Sequence, residues 1–301
     1  MQIEYEEKTF ENYFNAALDK KDIFFFPPGQ VQEGSLGADS IADMQSRKLW
    51  KQLGFTDFSN TPLAGLPLAA MAQEMEKYLG QKIKNIPSIQ GNILFQFKRS
   101  QRMIHSNAEE WHHWSEPYFR YEIYPKQHTL LAQLHLKFSA DVLILYAAPA
   151  IVSMDDLVQA HIDGKIISKT NFRPAHQLTK HKRNTFVKPG NHSVACSEPS
   201  RLESFDLETE ARSLRAKVLD PQAALVEFAS VVTSVLRRTS YRRSFDLLMN
   251  YYGFQSLAEA PLVGAYLQMA VVRELTSIQW VIVGDPVKTP TGQEGVVKRN
   301  R

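Results

Sequence analysis

The run Val142-Leu143-Ile144-Leu145-Tyr146 is apolar at every position. A strand with one solvated face alternates apolar and polar residues, so an unbroken run fits a central strand covered on both faces. Such a strand needs other layers on each side of it, which points to a layered α/β architecture. The neighbouring sequence agrees. Leu130 to Phe138 carries a helical repeat, and Met154 to Ile162 is again helical. Ile93-Leu94-Phe95-Gln96-Phe97-Lys98 reads as a short apolar strand whose polar residues lie two apart, and Tyr118 to Tyr124 as an aromatic-rich strand. Two further strands are expected at Thr185–Val187 and Ser193–Cys196, hinged by Pro189-Gly190.

On the N-terminal side, residues 6–20 form an amphipathic pattern through Phe10, Tyr13, Phe14 and Leu18. The aromatic run Phe24-Phe25-Phe26 meets Pro27-Pro28, which stops any regular element. A Gly-rich stretch from Gly29 to Gly37 leads to Asp39, and helices are expected over residues 41–53 and 63–80. After Pro199 the strand signals fade. Leu207 to Val218, Pro221 to Arg238, Phe245 to Tyr252 and Leu262 to Ile278 all read as helices, with Pro221 suited to a first turn. The expected organisation is an α/β domain with a mixed sheet over residues 1–200, a helical region over 201–280, and a tail or small β element over 281–301.

A chain of 301 residues suits one large or two modest domains. Its formal net charge of +3 is too small for bulk charge to name a partner. The one cysteine, Cys196, excludes an internal disulfide framework and any multi-cysteine metal site, and fits a reducing cytoplasm. The acidic start lacks the basic and apolar segments of a signal peptide. No stretch reaches the roughly 18 uncharged apolar residues of a spanning helix. Ala258 to Val283 comes nearest, but Arg273 and Glu274 interrupt it, so it reads as a buried helix followed by a short strand. Gly-rich phosphate loops, dinucleotide fingerprints and nucleophile elbows are absent from the sequence.

One strand carries residues suited to chemistry. Residues two apart in a strand share a face, so Gln96 and Lys98 project together while Phe95 and Phe97 face a core. A lysine beside a metal-ligating oxygen suits phosphodiester cleavage: the ammonium orients water or offsets developing charge, and the metal polarises the phosphate. Without such chemistry, the same two residues would be solvent-facing positions of an edge strand.

On these residues the chain resembles the PD-(D/E)XK superfamily, the restriction-endonuclease-like fold. In that fold an acidic residue ends one strand and an Asp/Glu-x-Lys triplet lies on the next. A helix and a further strand follow, and an earlier helix often supplies a Glu. The resemblance covers roughly residues 30–150. It implies that Gln96-Phe97-Lys98 is the triplet, that Asp39 is the upstream carboxylate and that Glu33 is the earlier Glu. Asp39 and Glu33 would hold Mg²⁺ or Mn²⁺, Gln96 would add an oxygen and Lys98 would position the nucleophile. The helix at 130–138 and the strand at 142–146 would complete the core. The implied activity is a nuclease in restriction, repair or defence against foreign DNA. Two departures are visible. Gln96 is neutral, a weaker ligand for a hard cation than a carboxylate. Asp39 is separated from it by two expected helices, where the family has a tight hairpin. A degenerate, non-catalytic subunit that binds nucleic acid or assembles with a partner or with itself is the alternative, with the helical region as its interface.

Between Lys165 and Lys188 the chain carries seven lysines and arginines with no acidic residue. Arg173, Lys180, Lys182 and Arg183 in that stretch, with Arg99 beside Lys98, are candidate phosphate contacts; a solvated loop would look the same. Trp111-His112-His113-Trp114 offers stacking surface or a packed aromatic cluster. Adjacent histidines share no face, so they make a poor chelate. Cys196 reads as a core residue.

Overall fold

The computed structural model describes residues 3–19, 24–25, 68–84, 89–214, 220–252 and 254–284. In chain order the elements are α1 (Glu7–Asp19), β1 (Phe24–Phe25), α2 (Leu68–Lys84), β2 (Ile89–Phe97), β3 (Gln101–Met103), α3 (Trp111–Trp114), β4 (Tyr118–Glu122), α4 (Pro125–Phe138), β5 (Val142–Pro149) and α5 (Met154–Ile162). They continue with β6 (Thr170–Pro174), β7 (Arg183–Phe186), β8 (Ser193–Cys196), β9 (Ser200–Leu202), α6 (Leu207–Ser213), α7 (Pro221–Leu236), α8 (Arg242–Tyr251), α9 (Pro261–Thr276) and β10 (Ile278–Gly284). The fold is α/β with a helical C-terminal region, as the sequence leads one to expect.

Two five-stranded sheets organise the described residues. The first is mixed, in the order β1-β10-β2-β5-β6, and the second is antiparallel, in the order β3-β4-β7-β8-β9. Within the first, β2 and β5 run parallel, with Asn92 opposite Val142 and Gln96 opposite Tyr146. Alternation then sorts the side chains. Ile93, Phe95 and Phe97 of β2, with Leu145 and Ala147 of β5, join a core with Phe10 and Phe14 of α1 and Leu157 of α5. Leu94, Ile144, Tyr146 and Ala148 face the other way, into a core shared with α2, α4, α7, α8, α9 and the second sheet. Phe14 meets Phe95 and Phe97 edge-on at 5.3 and 5.2 Å, the preferred aromatic geometry.

Helix starts follow local chemistry. Pro125, Pro221 and Pro261 each open a helix, where the missing N–H costs nothing. Ser153 caps α5 by accepting from Asp156 N–H at 3.0 Å. Glu76 of α2 does the same for α9 from a distance, accepting from the N–H groups of Leu262 and Val263 at 2.9 Å each.

Three expectations change. β10 pairs with β2 on one side and β1 on the other, so the boundary drawn at residue 281 falls inside an interior strand. Gln96 lies in a central strand and Lys98 directly after it, and both are buried, which rules out the edge-strand reading. The basic stretch contains a buried strand, β6, whose five residues are all enclosed. The Gly-rich stretch, Glu33, Asp39, the helix expected at 41–53 and residues 285–301 lie outside the described residues. Among the described residues no helix is long and apolar enough to cross a membrane.

One ion pair joins helices from opposite faces of the first sheet. Arg273 of α9 reaches Glu11 of α1 at 2.6 Å, and their side chains are 7% and 3% exposed. Removing one partner strands the other charge in the interior. Glu11→Ala is therefore expected to destabilise the fold by about 3–5 kcal/mol, read from urea unfolding.

Candidate active site

Lys98 directly follows β2, and its N–H extends the parallel pairing by donating to Ala147 O at 2.9 Å. Parallel strands point their carboxyl ends the same way, and the edge beyond those ends is where α/β folds place ligands. Lys98 is 3% exposed. Its Nζ donates to Gln127 Oε1 of α4 at 2.5 Å, and Gln127 Nε2 donates to Thr276 O, at the end of α9, at 3.0 Å. The ammonium also lies 4.4 Å from the ring centre of Tyr124 and 5.5 Å from that of Tyr146. Gln127 is thus pinned at one end and presents its oxygen to Lys98 at the other.

Glu7, in the first turn of α1, borders the same place and accepts the Arg99 N–H at 3.1 Å. Burial pulls the Lys98 amine down to about 8, against the opposing pull of Glu7. Burial likewise raises the Glu7 carboxyl, with Lys98 and the Arg99 N–H working the other way. Both groups border a cavity of about 140 Å³, together with Ser100, Tyr121, Glu122 and Tyr124. The Ser100 hydroxyl is buried and has no hydrogen-bond partner among the described residues. Tyr124 is 62% exposed, at the edge of the cavity. Behind it, Tyr146 OH lies 3.1 Å from His128 Nδ1. Burial, then His181 and Lys98, hold the His128 imidazole below its ordinary range.

The two polar residues of the expected triplet part company: Lys98 borders the cavity and Gln96 does not. Gln96 is on the Lys98 face of β2 but fully buried, and it is not among the residues lining the cavity. Its Nε2 donates to Ser277 O and Phe97 O at 3.4 Å each, while Oε1 has no partner among the described residues. The structure therefore sets Lys98 and Glu7, and not Gln96, on one cavity. Asp39 and Glu33 lie outside the described residues.

The basic residues are scattered. Arg99 pins the N-terminal segment, bonding Glu6 at 3.0 Å and Ile3 O at 2.6 Å. Arg173 is fully buried in β6 and donates to Glu203 O at 2.5 Å and to Asn191 O, so it is not a surface contact. Arg183 pairs with Glu109 and with Glu110, the latter at 2.7 Å, so its charge is compensated. Lys180 and Lys182 remain exposed.

The aromatic cluster is half-buried, with none of Trp111–Trp114 enclosed and His112 exposed. Trp114 Nε1 donates to Thr185 Oγ1 at 3.1 Å and its ring stacks on His192. Cys196 is buried, and burial pushes its thiol up to about 11, as suits a core residue. Among the described residues no three His, Cys, Asp or Glu side chains gather as a metal cage. Compared with family models, curated proteins and solved structures, the chain matches none.

Glu7, Tyr124 and Gln127 carry no sequence signature of their own. Nothing local in the sequence ties residue 7 to residue 98.

The lowered amine makes a stability prediction. Between about pH 8 and the ordinary 10.5, the unfolded chain binds more protons at Lys98 than the folded chain. Rising pH across that window therefore stabilises the wild type relative to Lys98→Met, and below it the wild type carries the full burial cost. Urea unfolding of both proteins over that range checks the sign. A difference that does not vary with pH would mean that the amine is not perturbed.

Proposed function

We propose that this chain is a metal-dependent nuclease of the PD-(D/E)XK type, with Lys98 and Glu7 at its catalytic centre. The observation that carries the reading is a buried lysine at the carboxyl end of β2, facing a glutamate of α1 across a small cavity. The unit around it supports the same reading: β2, the helix α4 and the parallel strand β5 follow in the order that the resemblance requires.

The oxygens bordering the cavity fit a hard cation. Glu7 and Glu122 offer carboxylates, and Ser100 offers an unpartnered hydroxyl. Mg²⁺ is commonly held by one or two carboxylates and completes its shell with water and substrate phosphate. Glu7 takes the place first given to Glu33. Gln96, turned inward, is not a ligand in this scheme. When bound, the cation would polarise the scissile phosphate and lower the pKa of the attacking water.

The chain's own residues do the rest. Gln127 fixes the direction of the Lys98 side chain, so its amine meets a phosphoryl oxygen or the attacking water without first reorganising. The near-neutral amine can hold or release a proton at Nζ close to physiological pH. Tyr124 shields the amine from bulk water at the mouth. The resemblance extends the proposal to restriction, repair or defence against foreign nucleic acid.

Cleavage of single-stranded, double-stranded and RNA substrates with Mg²⁺ or Mn²⁺ tests this. Lys98→Ala is expected to lower the rate by about 10²–10³-fold, and Glu7→Gln to weaken the response to metal. Gln127→Leu should lower kcat more than it raises KM and shift the alkaline limb of the pH profile. Equal cutting by wild type and Lys98→Ala would reject the assignment. The neutral, inward-turned Gln96 favours the second reading, a non-cutting relative that binds nucleic acid. Binding without cutting by the wild type would select it.

A further inference from the structure

The turn between α7 and α8 carries Arg237, Arg238, Arg242 and Arg243, all exposed. One acid answers them: Asp246 meets Arg237 at 2.9 Å and Arg242 at 3.8 Å. Arg238 and Arg243 have no ion pair among the described residues. Arg242 and Arg243 also stand in the first turn of α8, where the helix dipole disfavours cations. Arg242 at least has its i,i+4 partner in Asp246, but helix stability gives no reason for Arg243 there.

The rest of α8 is divided. Phe245 and Met249 point into the core. The outward stripe, Arg243, Leu247 and Tyr251 at intervals of four, is open, with Leu247 62% and Tyr251 80% exposed. An apolar residue and an aromatic ring this exposed, in line with the unpaired Arg243, form a surface with two chemistries: a cation at one end, with Arg238 in the preceding turn, and a stacking face at the other. The stripe spans about 12 Å at 1.5 Å per residue, the length of three or four stacked nucleotides at about 3.4 Å each.

We propose that the outward face of α8, together with Arg238, docks single-stranded nucleic acid, with phosphates on Arg238 and Arg243 and a base on Tyr251. A duplex offers the phosphates but keeps its base faces stacked, so the exposed ring selects the single strand. The proposal rests on the nuclease reading for the nature of its ligand, and deepens it by naming the strand form and where it is held. It does not depend on the chemistry at Lys98.

The test uses the full chain carrying Lys98→Ala, so that no substrate is cut, and labelled oligonucleotides in fluorescence anisotropy over a range of salt. Adding Arg238→Gln and Arg243→Gln should weaken single-strand binding at least tenfold and flatten the salt slope by about 1.4, because two phosphates no longer meet a cation. Adding Tyr251→Ala should weaken single-strand binding about tenfold and leave duplex binding unchanged. Circular dichroism confirms that α8 persists in each variant. Unchanged single-strand binding in both variants overturns the proposal, and an equal loss on duplex with Tyr251→Ala overturns the strand assignment. Self-association abolished by Tyr251→Ala, without oligonucleotide binding, would give the face to a second copy and also overturn it. Binding that follows these predictions in a chain whose wild type never cuts would leave this surface standing and reject the nuclease reading alone.

Discussion

Two parallel strands cannot be closed by a tight turn, and the link from β2 to β5 runs through β3, α3, β4 and α4. That requirement sets most of the architecture. It brings α4 back over one face of the first sheet and leads the chain out, between β2 and α4, into two of the five strands of the second sheet. It also sets the carboxyl end of β2 beside Ala147, near the end of β5, so that Lys98, Ala147 and Tyr146 meet at one edge. Because β10 covers the other side of β2, this edge is reached only from the strand ends. α1 approaches it from one face and α4 from the other, delivering Glu7 and Gln127.

A lysine buried at such a place costs stability unless something answers its charge. Here the answer is incomplete. Gln127 gives a neutral acceptor, two aromatic rings give their faces, and Glu7 lies near enough to attract without closing a direct ion pair among the described residues. A direct carboxylate partner would have held the amine fully protonated and occupied. A purely apolar pocket would have neutralised it and left it without direction. The arrangement found keeps the amine directed and close to its switching point, and leaves a polar cavity in front of it. A structural salt bridge elsewhere in the chain shows the contrast: Arg273 and Glu11 meet at 2.6 Å and seal each other off.

Much of the fold was legible because its signals are local. The apolar run at 142–146 marks a strand covered on both faces, and β5 is one. Met154 to Ile162 carries both its helical period and its serine cap within ten residues, and forms α5 as expected. β6 was hidden because Thr-Asn-Phe-Arg-Pro looks solvated; its polar residues are buried by strands and loops that the sequence gives no means to place. β10 took its position between β1 and β2 through pairings 182–195 residues apart with β2 and 256–258 apart with β1, which no periodicity encodes. The same holds for the site. Lys98 and its face-sharing Gln96 follow from strand alternation, whereas Glu7 reaches its place through a contact across 92 residues. The basic stretch misled for the opposite reason: charge is visible in sequence, but its partners Glu109 and Glu110 are far away along the chain.

A crystal structure of the chain with Mn²⁺ and an uncleavable phosphorothioate oligonucleotide would test the central claim most directly. The account predicts a phosphate beside Lys98 Nζ and a cation held by Glu7. A phosphate bound elsewhere, with no phosphate and no cation beside Lys98 and Glu7, would contradict it.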